Sequence, residues 1–471
     1  MNQWSNLSWV RFKALTATPI AAVLTLLATN AQAIPLFARQ TGQNCVSCHA
    51  GGQFPELTPY GRKFKLTGYT MGERVTVPLA VMGVASMTQV NHKTGSLDVA
   101  ADFPQDSVFH FTTASLFAGG KITDNLGLFG QWTYNAYDHQ NSQSKWVGHS
   151  SSDQFDLRYA DRFIDANRDL IVGASLNNNP GVTDVWNTFN SAFTSVPGYV
   201  PVSNPAGGAG GPFTDVPAAP ILQSLGSTAA GFNIYAYWND TLYAELGTYR
   251  TANGAFSFLS QGISGNNMGF PAVLKGKSNP YWRLALNHDW DANSAMVGLY
   301  GLTVDAYPGA PDTSGPTVKF RDIGIDSQYQ YILDPHMISA QASYTHERIS
   351  DPNLALAANE SNTLKHLRLK ATYVYQAKYG ASLGYASVKG SADANLYAGD
   401  MTGATPFGFG NNTPNTRVWI PEAFWTPIQN VRVGLQYYKF TQFAGASNNY
   451  DGNGRNASDN NTLFLYVWGA Y

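Results

Sequence analysis

The sequence predicts an all-β chain: a transmembrane antiparallel β-barrel of about 16 strands, preceded by a small N-terminal helical module. Three observations lead there. Hydrophobicity alternates in runs of about ten residues from Val75 onward, the strand pattern of outer-membrane barrels. The polar stretches between the runs alternate between short and long, as the two rims of such a barrel do. The final residues, "NTLFLYVWGAY", put Leu463, Leu465, Val467, Gly469 and Tyr471 on one face and end on an aromatic, similar to the closing strand of an outer-membrane barrel.

Composition agrees. Only 13% of the 471 residues are charged, about half of the ~25% usual in soluble domains. The formal net charge of −2 gives no field for nucleic acid. The length would allow about three soluble domains, but a barrel needs no conventional core.

The N-terminus reads as a secretory signal over residues 1–33. Arg11 and Lys13 form the basic end, Ala14 to Ala28 is small and apolar, and Ala31-Gln32-Ala33 is an A-x-A cleavage site. The apolar stretch falls short of the ~20 residues that a spanning helix needs. The mature chain is then expected to start at Ile34.

A module over 34–74 follows, and it holds both cysteines. "CVSCH" places Cys45, Cys48 and His49 in the C-x-x-C-H spacing of a c-type haem attachment site. Each thiol adds to one vinyl group of the porphyrin, and the histidine lies under the iron. A thioredoxin-like C-x-x-C needs a βαβ setting, a zinc site needs further ligands at similar spacing, and a small disulfide leaves His49 without a role. The expected cofactor is therefore one covalent haem c. "LTPYGRKFKLTGYTM" reads as one helix, with Thr58 as N-cap, Pro59 at the first position and Gly68 as the stop. Phe54, Tyr60 and Phe64 are the residues expected to pack on the porphyrin. Met71 is the first choice as distal iron ligand and His92 the second, with an open position third. Some 40 residues rarely make a core of their own, so the rest of the chain is the expected enclosure.

That enclosure is residues 75–471. Segments 109–119, 127–137, 232–238, 242–250, 281–290, 296–304, 338–347, 367–376, 380–390 and 431–440 alternate in hydrophobicity. Short turns are expected near Thr123-Asp124, Asp165-Ala166, Asn239-Asp240, Asp291-Ala292, Asp334-Pro335, Gln376-Ala377 and Pro427-Ile428. Long loops are expected near 91–105, 138–153, 177–228, 252–278, 306–316, 348–362, 390–412 and 441–460. A soluble sandwich or a propeller would share the alternation but not this asymmetry. Sixteen-stranded barrels leave an open lumen, wide enough for a haem and its carrier as a plug.

With signal, C-x-x-C-H, short helix and barrel in that order, the chain resembles the fused outer-membrane monohaem cytochrome–porins of iron-oxidising bacteria. The most specific stretches are "CVSCHAGGQFPELTPYGRKFKLTGYTM" and "NNNPGVTDVWNT" at 177–188. The resemblance implies haem bound by Cys45, Cys48 and His49. It implies an outer-membrane electron-transfer protein of a Gram-negative bacterium, contacting outer-membrane lipid. Electrons would pass from extracellular Fe(II) to a periplasmic carrier, a cytochrome or cupredoxin, which amounts to an Fe(II)-oxidising activity. The alternative is a haem-plugged porin, or a conduit for a donor other than iron. Asp98, Asp102, Asp106 and Asp184 are loop carboxylates considered for metal docking, against the simpler role of solvated surface groups.

Overall fold

The computed structural model describes residues 36–52, 56–92, 107–140, 146–188, 217–222, 225, 228–260, 273–397, 412–452 and 454–471. The segment expected to be a secretory signal, residues 1–33, lies outside them.

Sixteen strands run in chain order: β1 (Leu79–Val90), β2 (His110–Lys121), β3 (Leu126–Gln140), β4 (Trp146–Asp165), β5 (Arg168–Asn177), β6 (Ala229–Trp238), β7 (Leu242–Thr251), β8 (Asn279–Trp290), β9 (Asn293–Ala306), β10 (Val318–Leu333), β11 (His336–Ser350), β12 (Ser361–Tyr375), β13 (Tyr379–Gly390), β14 (Thr416–Ile428), β15 (Val431–Gln442) and β16 (Thr462–Ala470). Each pairs antiparallel with the next. β1 and β16 close the ring, from Met82↔Ala470 to Val90↔Thr462. The alternating terminal segment is thus the closing strand.

One rim carries short turns at 122–125, 166–167, 239–241, 291–292, 334–335, 376–378 and 429–430. Six match the expected turns. The seventh sits two residues later than Pro427-Ile428, because β14 runs on through Ile428. The other rim carries the long connections. The exception is 138–153, expected as a long loop. There β3 and β4 stay paired out to Gln140↔Trp146 as a tall hairpin, so only 141–145 connect them.

The strand pattern is polar inward and apolar outward. On β8 the buried inner face is Asn279, Tyr281, Arg283, Ala285 and Asn287, while Leu284 and Leu286 are exposed outside. On β10 the inner face is Asp322, Asp326, Gln328 and Gln330, against exposed Ile323 and Ile325. Buried polar groups need partners, and the lumen supplies them to one another, as where Asn233 donates to Glu245 at 2.7 Å and Tyr243 donates to the same carboxylate at 2.9 Å.

Among the described residues three short helices precede β1: α1 (Leu36–Thr41), α2 (Cys45–Cys48) and α3 (Pro59–Leu66). A fourth, α4 (Pro180–Thr183), lies in the connection after β5. α3 begins and ends as its sequence predicts. Thr58 accepts from the Gly61 amide at 3.1 Å, Pro59 follows, and Gly68 has φ +75°.

Candidate functional site

α2 is a single turn, so Cys45 and Cys48 share a face. The backbone then folds back on itself. The His49 amide donates to Cys45 O at 2.8 Å, Ala50 N to Glu56 O at 3.0 Å, and Thr58 N to Cys48 O at 2.9 Å. The Thr58 hydroxyl donates to Ser47 O at 2.6 Å while capping α3. α3 rests directly on the turn. A Cβ at Gly61 would fall 2.2 Å from Cys48 O, so only glycine allows the approach.

The barrel wall holds this assembly on many sides, which places it in the lumen. Arg62 donates to Ser294 on β9 at 2.5 Å and to Gln328 and Gln330 on β10 at 3.1 and 3.0 Å. Glu56 pairs with Lys370 on β12 at 3.2 Å. Tyr69 donates to Asp156 on β4 at 2.6 Å, and Tyr235 on β6 donates to Leu66 O at 2.6 Å. Ala50 packs with Met337, Val374 and Phe424 of β11, β12 and β14. Lys63 meets Asp240 at 2.6 Å in a short turn. The segment is therefore a plug set toward the short-turn rim.

Its chemistry is distinctive. The two thiols are free rather than joined. Burial pushes both up to about 11, with the neighbouring Cys45 adding to the effect at Cys48. Thiols held protonated are poor in exchange and metal binding. Burial lowers the His49 imidazole to about 4, although a hydrogen bond to the Glu56 backbone opposes this. A neutral imidazole tied on one side is the form that ligates metals. Among the described residues no three His, Cys, Asp or Glu side chains form a metal-holding group.

The other expected site residues separate. Phe54 lies outside the described residues, as do Asp98, Asp102 and Asp106. Tyr60 and Phe64 are four apart but unlike in burial, at 36% and 4% exposed. Phe64 meets Phe37 at 4.9 Å and Tyr69 at 5.9 Å between ring centres, in the plug's own aromatic cluster. Met71 stands after the helix, half-buried, with its carbonyl taking a hydrogen bond from Gln40 at 2.8 Å. His92 is no neighbour of this site. β1 carries it to the long-loop rim, roughly 40 Å along the strand, where it pairs with Asp459 at 2.7 Å.

Asp184 is not a surface carboxylate. The stretch 178–188 folds into the lumen, with Asn179 capping α4 and Asp184 accepting from the amides of Trp186 and Thr188 at 3.0 and 2.7 Å. Trp186 is 1% exposed and lies beneath the Arg283 guanidinium, 5.3 Å from its ring centre. Arg283 in turn pairs with Asp326 at 2.6 Å and Asp184 at 3.4 Å. Plug and infolded loop meet. Lys65 donates to Asp184 O at 3.0 Å, and Leu66, Val185 and Trp186 pack together with Tyr243. The tryptophan within an otherwise polar loop was the sequence signal for this infolding.

No protein-family model matches the chain, and no curated protein matches it. Among solved structures it is similar to Salmonella typhi OmpF in complex with daunomycin, at 13% identity and TM-score 0.45, covering 83% of this chain and 97% of that one. It is also similar to the outer membrane channel DcaP of Acinetobacter baumannii, at 11% identity and TM-score 0.43, covering 83% and 96%. The Vibrio cholerae outer membrane protein OmpT follows at 10% identity and TM-score 0.42, covering 83% and 96%. The barrel assignment rests on the closed order of its sixteen strands.

Proposed function

We propose that this chain is an outer-membrane barrel plugged by its own N-terminal segment, and that the plug carries one haem c. Cys45 and Cys48 would form the thioethers and His49 would hold the iron. The membrane reading is supported by the inverted strands, polar inside and apolar outside, with exposed aromatics such as Trp238, Trp290, Tyr373 and Trp425 near the short-turn rim. The observation that carries the haem reading is the C-x-x-C-H turn itself: two free thiols on one face beside a neutral imidazole, inside the lumen.

Bound there, the haem would supply a one-electron centre within the wall. The plug, the infolded loop and the aromatic cluster around Phe64 limit the access of bulk water, while Val46 and Tyr60 stay exposed beside the turn. Glu56 orients His49 through its backbone and ties that backbone to the wall through Lys370. The function we infer is electron transfer from an extracellular donor, Fe(II) by resemblance, to a periplasmic carrier. A haem-plugged porin is the second reading, favoured by a strand number that otherwise leaves an open lumen. The contact between plug and infolded loop weighs against free solute passage.

Haem staining of outer-membrane fractions and anaerobic addition of Fe(II) to the purified protein test this in two steps. The expected result is a covalent stain, lost in Cys48→Ala, and a reduced α-band that grows with Fe(II). An unstained wild-type protein would remove the haem reading. A stained protein that Fe(II) never reduces would leave a conduit for another donor, or the plugged porin.

A further inference from the structure

Among the described residues, two acids in the lumen wall lack a basic partner. Asp322 on β10 and Glu347 on β11 stand directly opposite in register. They are 1% and 2% exposed, and their carboxyl groups lie within hydrogen-bonding reach of each other. The buried ion pairs of the lumen go instead to Glu56, Asp156, Asp184, Asp326 and Glu422. Asp322 Oδ1 and Glu347 Oε2 have no hydrogen-bond partner among the described residues. Two carboxylates face to face in a dry site do not both stay ionised unless a cation or a proton joins them.

A third group points the same way. His366 on β12 is opposite Thr345, two positions from Glu347 on the same inward face. It is 2% exposed, and its Nδ1 has no partner among the described residues. Ala219 N donates to His366 Nε2 at 3.3 Å and Ile221 N to Asp322 Oδ2 at 3.0 Å. The two amides are at most about 7 Å apart, so His366 Nε2 and the Asp322 carboxylate lie within about 13 Å of each other. On the outside of the wall at this level stand exposed Arg321, Arg348 and Lys365. The cluster thus lies above the apolar belt, near the long-loop rim.

We propose that Asp322, Glu347 and His366 form a binding site for a divalent first-row cation, with one oxygen from each acid and the imidazole Nδ1 as ligands. Carboxylate and imidazole ligands suit Mn(II), Fe(II) and Zn(II). Among the described residues no three such side chains already enclose a common point. The facing acids are the starting pair, and His366 joins them by turning about its side-chain torsions. The inference goes beyond the haem reading, because cation binding here needs no haem. The site is roughly 20 Å along β10 from Gln328, where the wall meets the plug.

The test is a titration of the purified full-length protein with Mn(II), reading free Mn(II) by electron paramagnetic resonance. One saturable site is expected. Asp322→Asn with Glu347→Gln should weaken it at least about tenfold, and His366→Gln should weaken it less. Heat-modifiable gel mobility reports the closed barrel in each variant. If the double variant does not close, Asp322→Asn alone gives the same readout. Absence of saturable Mn(II) binding in the wild type, or equal binding in the variants, overturns the site. An infrared band of a protonated carboxyl group, present in the wild type and lost in the double variant, would then give the pair to a shared proton. Failure of this titration leaves the haem proposal standing, and an unstained protein leaves the titration standing.

Discussion

Two pieces of chain fill the same lumen, and they are held in different ways. The plug is fastened by the wall. Arg62, Glu56 and Tyr69 all reach strands far away in sequence, as with Arg62 and Gln330, 268 residues apart. The infolded loop also meets the wall, through Arg283, Gln328 and Gln341, but adds bracing of its own, with Asn179 and Asp184 binding amides within four residues. Gln328 serves both, accepting from Arg62 and donating to Trp186 O at 3.0 Å. The difference teaches that the loop carries part of its shape in its own sequence, whereas the plug has its place only once the ring is closed.

The strongest way to break the comparison is to delete residues 36–74. Single-channel conductance in planar bilayers should rise about tenfold or more, because a sixteen-strand barrel otherwise leaves an open lumen. Unchanged conductance would mean that the loop alone seals the barrel. Next, Lys370→Gln strands the buried Glu56 carboxylate, at a cost of about 3–5 kcal/mol. Protease cutting within the plug of the folded barrel should then appear, and Glu56→Gln in the same chain should suppress it. Asp184→Ala is the matching change in the loop. It removes the acceptor of two amides, a loss of about 1–3 kcal/mol, and should loosen 178–188 while the plug stays protected.

The smallest effect concerns pH at the long-loop rim. Burial raises the Asp393 carboxyl, but the amides of Leu396, Ala358 and Asn359 outweigh it and hold it below its ordinary value. Asp459 is held low in the same way, by the Asn456 amide and His92 against burial. A depressed carboxylate binds fewer protons folded than unfolded. Its contribution is therefore complete above its ordinary value of 3.8 and is lost as pH falls through the lower folded value. Pepsin should cut near 391–397 and 456–461 at about pH 2 but not at about pH 5. Equal cutting at both would show that these acids do not set loop order.

The barrel was legible because its physics is local. Inward and outward faces alternate residue by residue, so β8 or β16 can be read without its partners. α3 was legible for the same reason, since Thr58, Pro59 and Gly68 are all within its own span. What the sequence hid was long-range. Nothing near Arg62 names Ser294, and nothing near Glu56 names Lys370. Asp184 read as a solvated loop acid because its burial depends on Trp186 turning inward toward Arg283, two strands and a long loop away. The tall β3–β4 hairpin was missed because His139 and Gln140, in a polar run, read as loop while pairing with Val147 and Trp146.

The seating of α2 fixes an order of manufacture. Cys45 is 5% exposed, and α3 presses Gly61 against Cys48 inside a ring closed by β1 and β16. An enzyme that joins anything to these thiols has to reach them while the chain is still in transit. Cys48 keeps a half-exposed surface in the finished ring but Cys45 does not, so a passenger bonded to both has to be aboard before the ring closes.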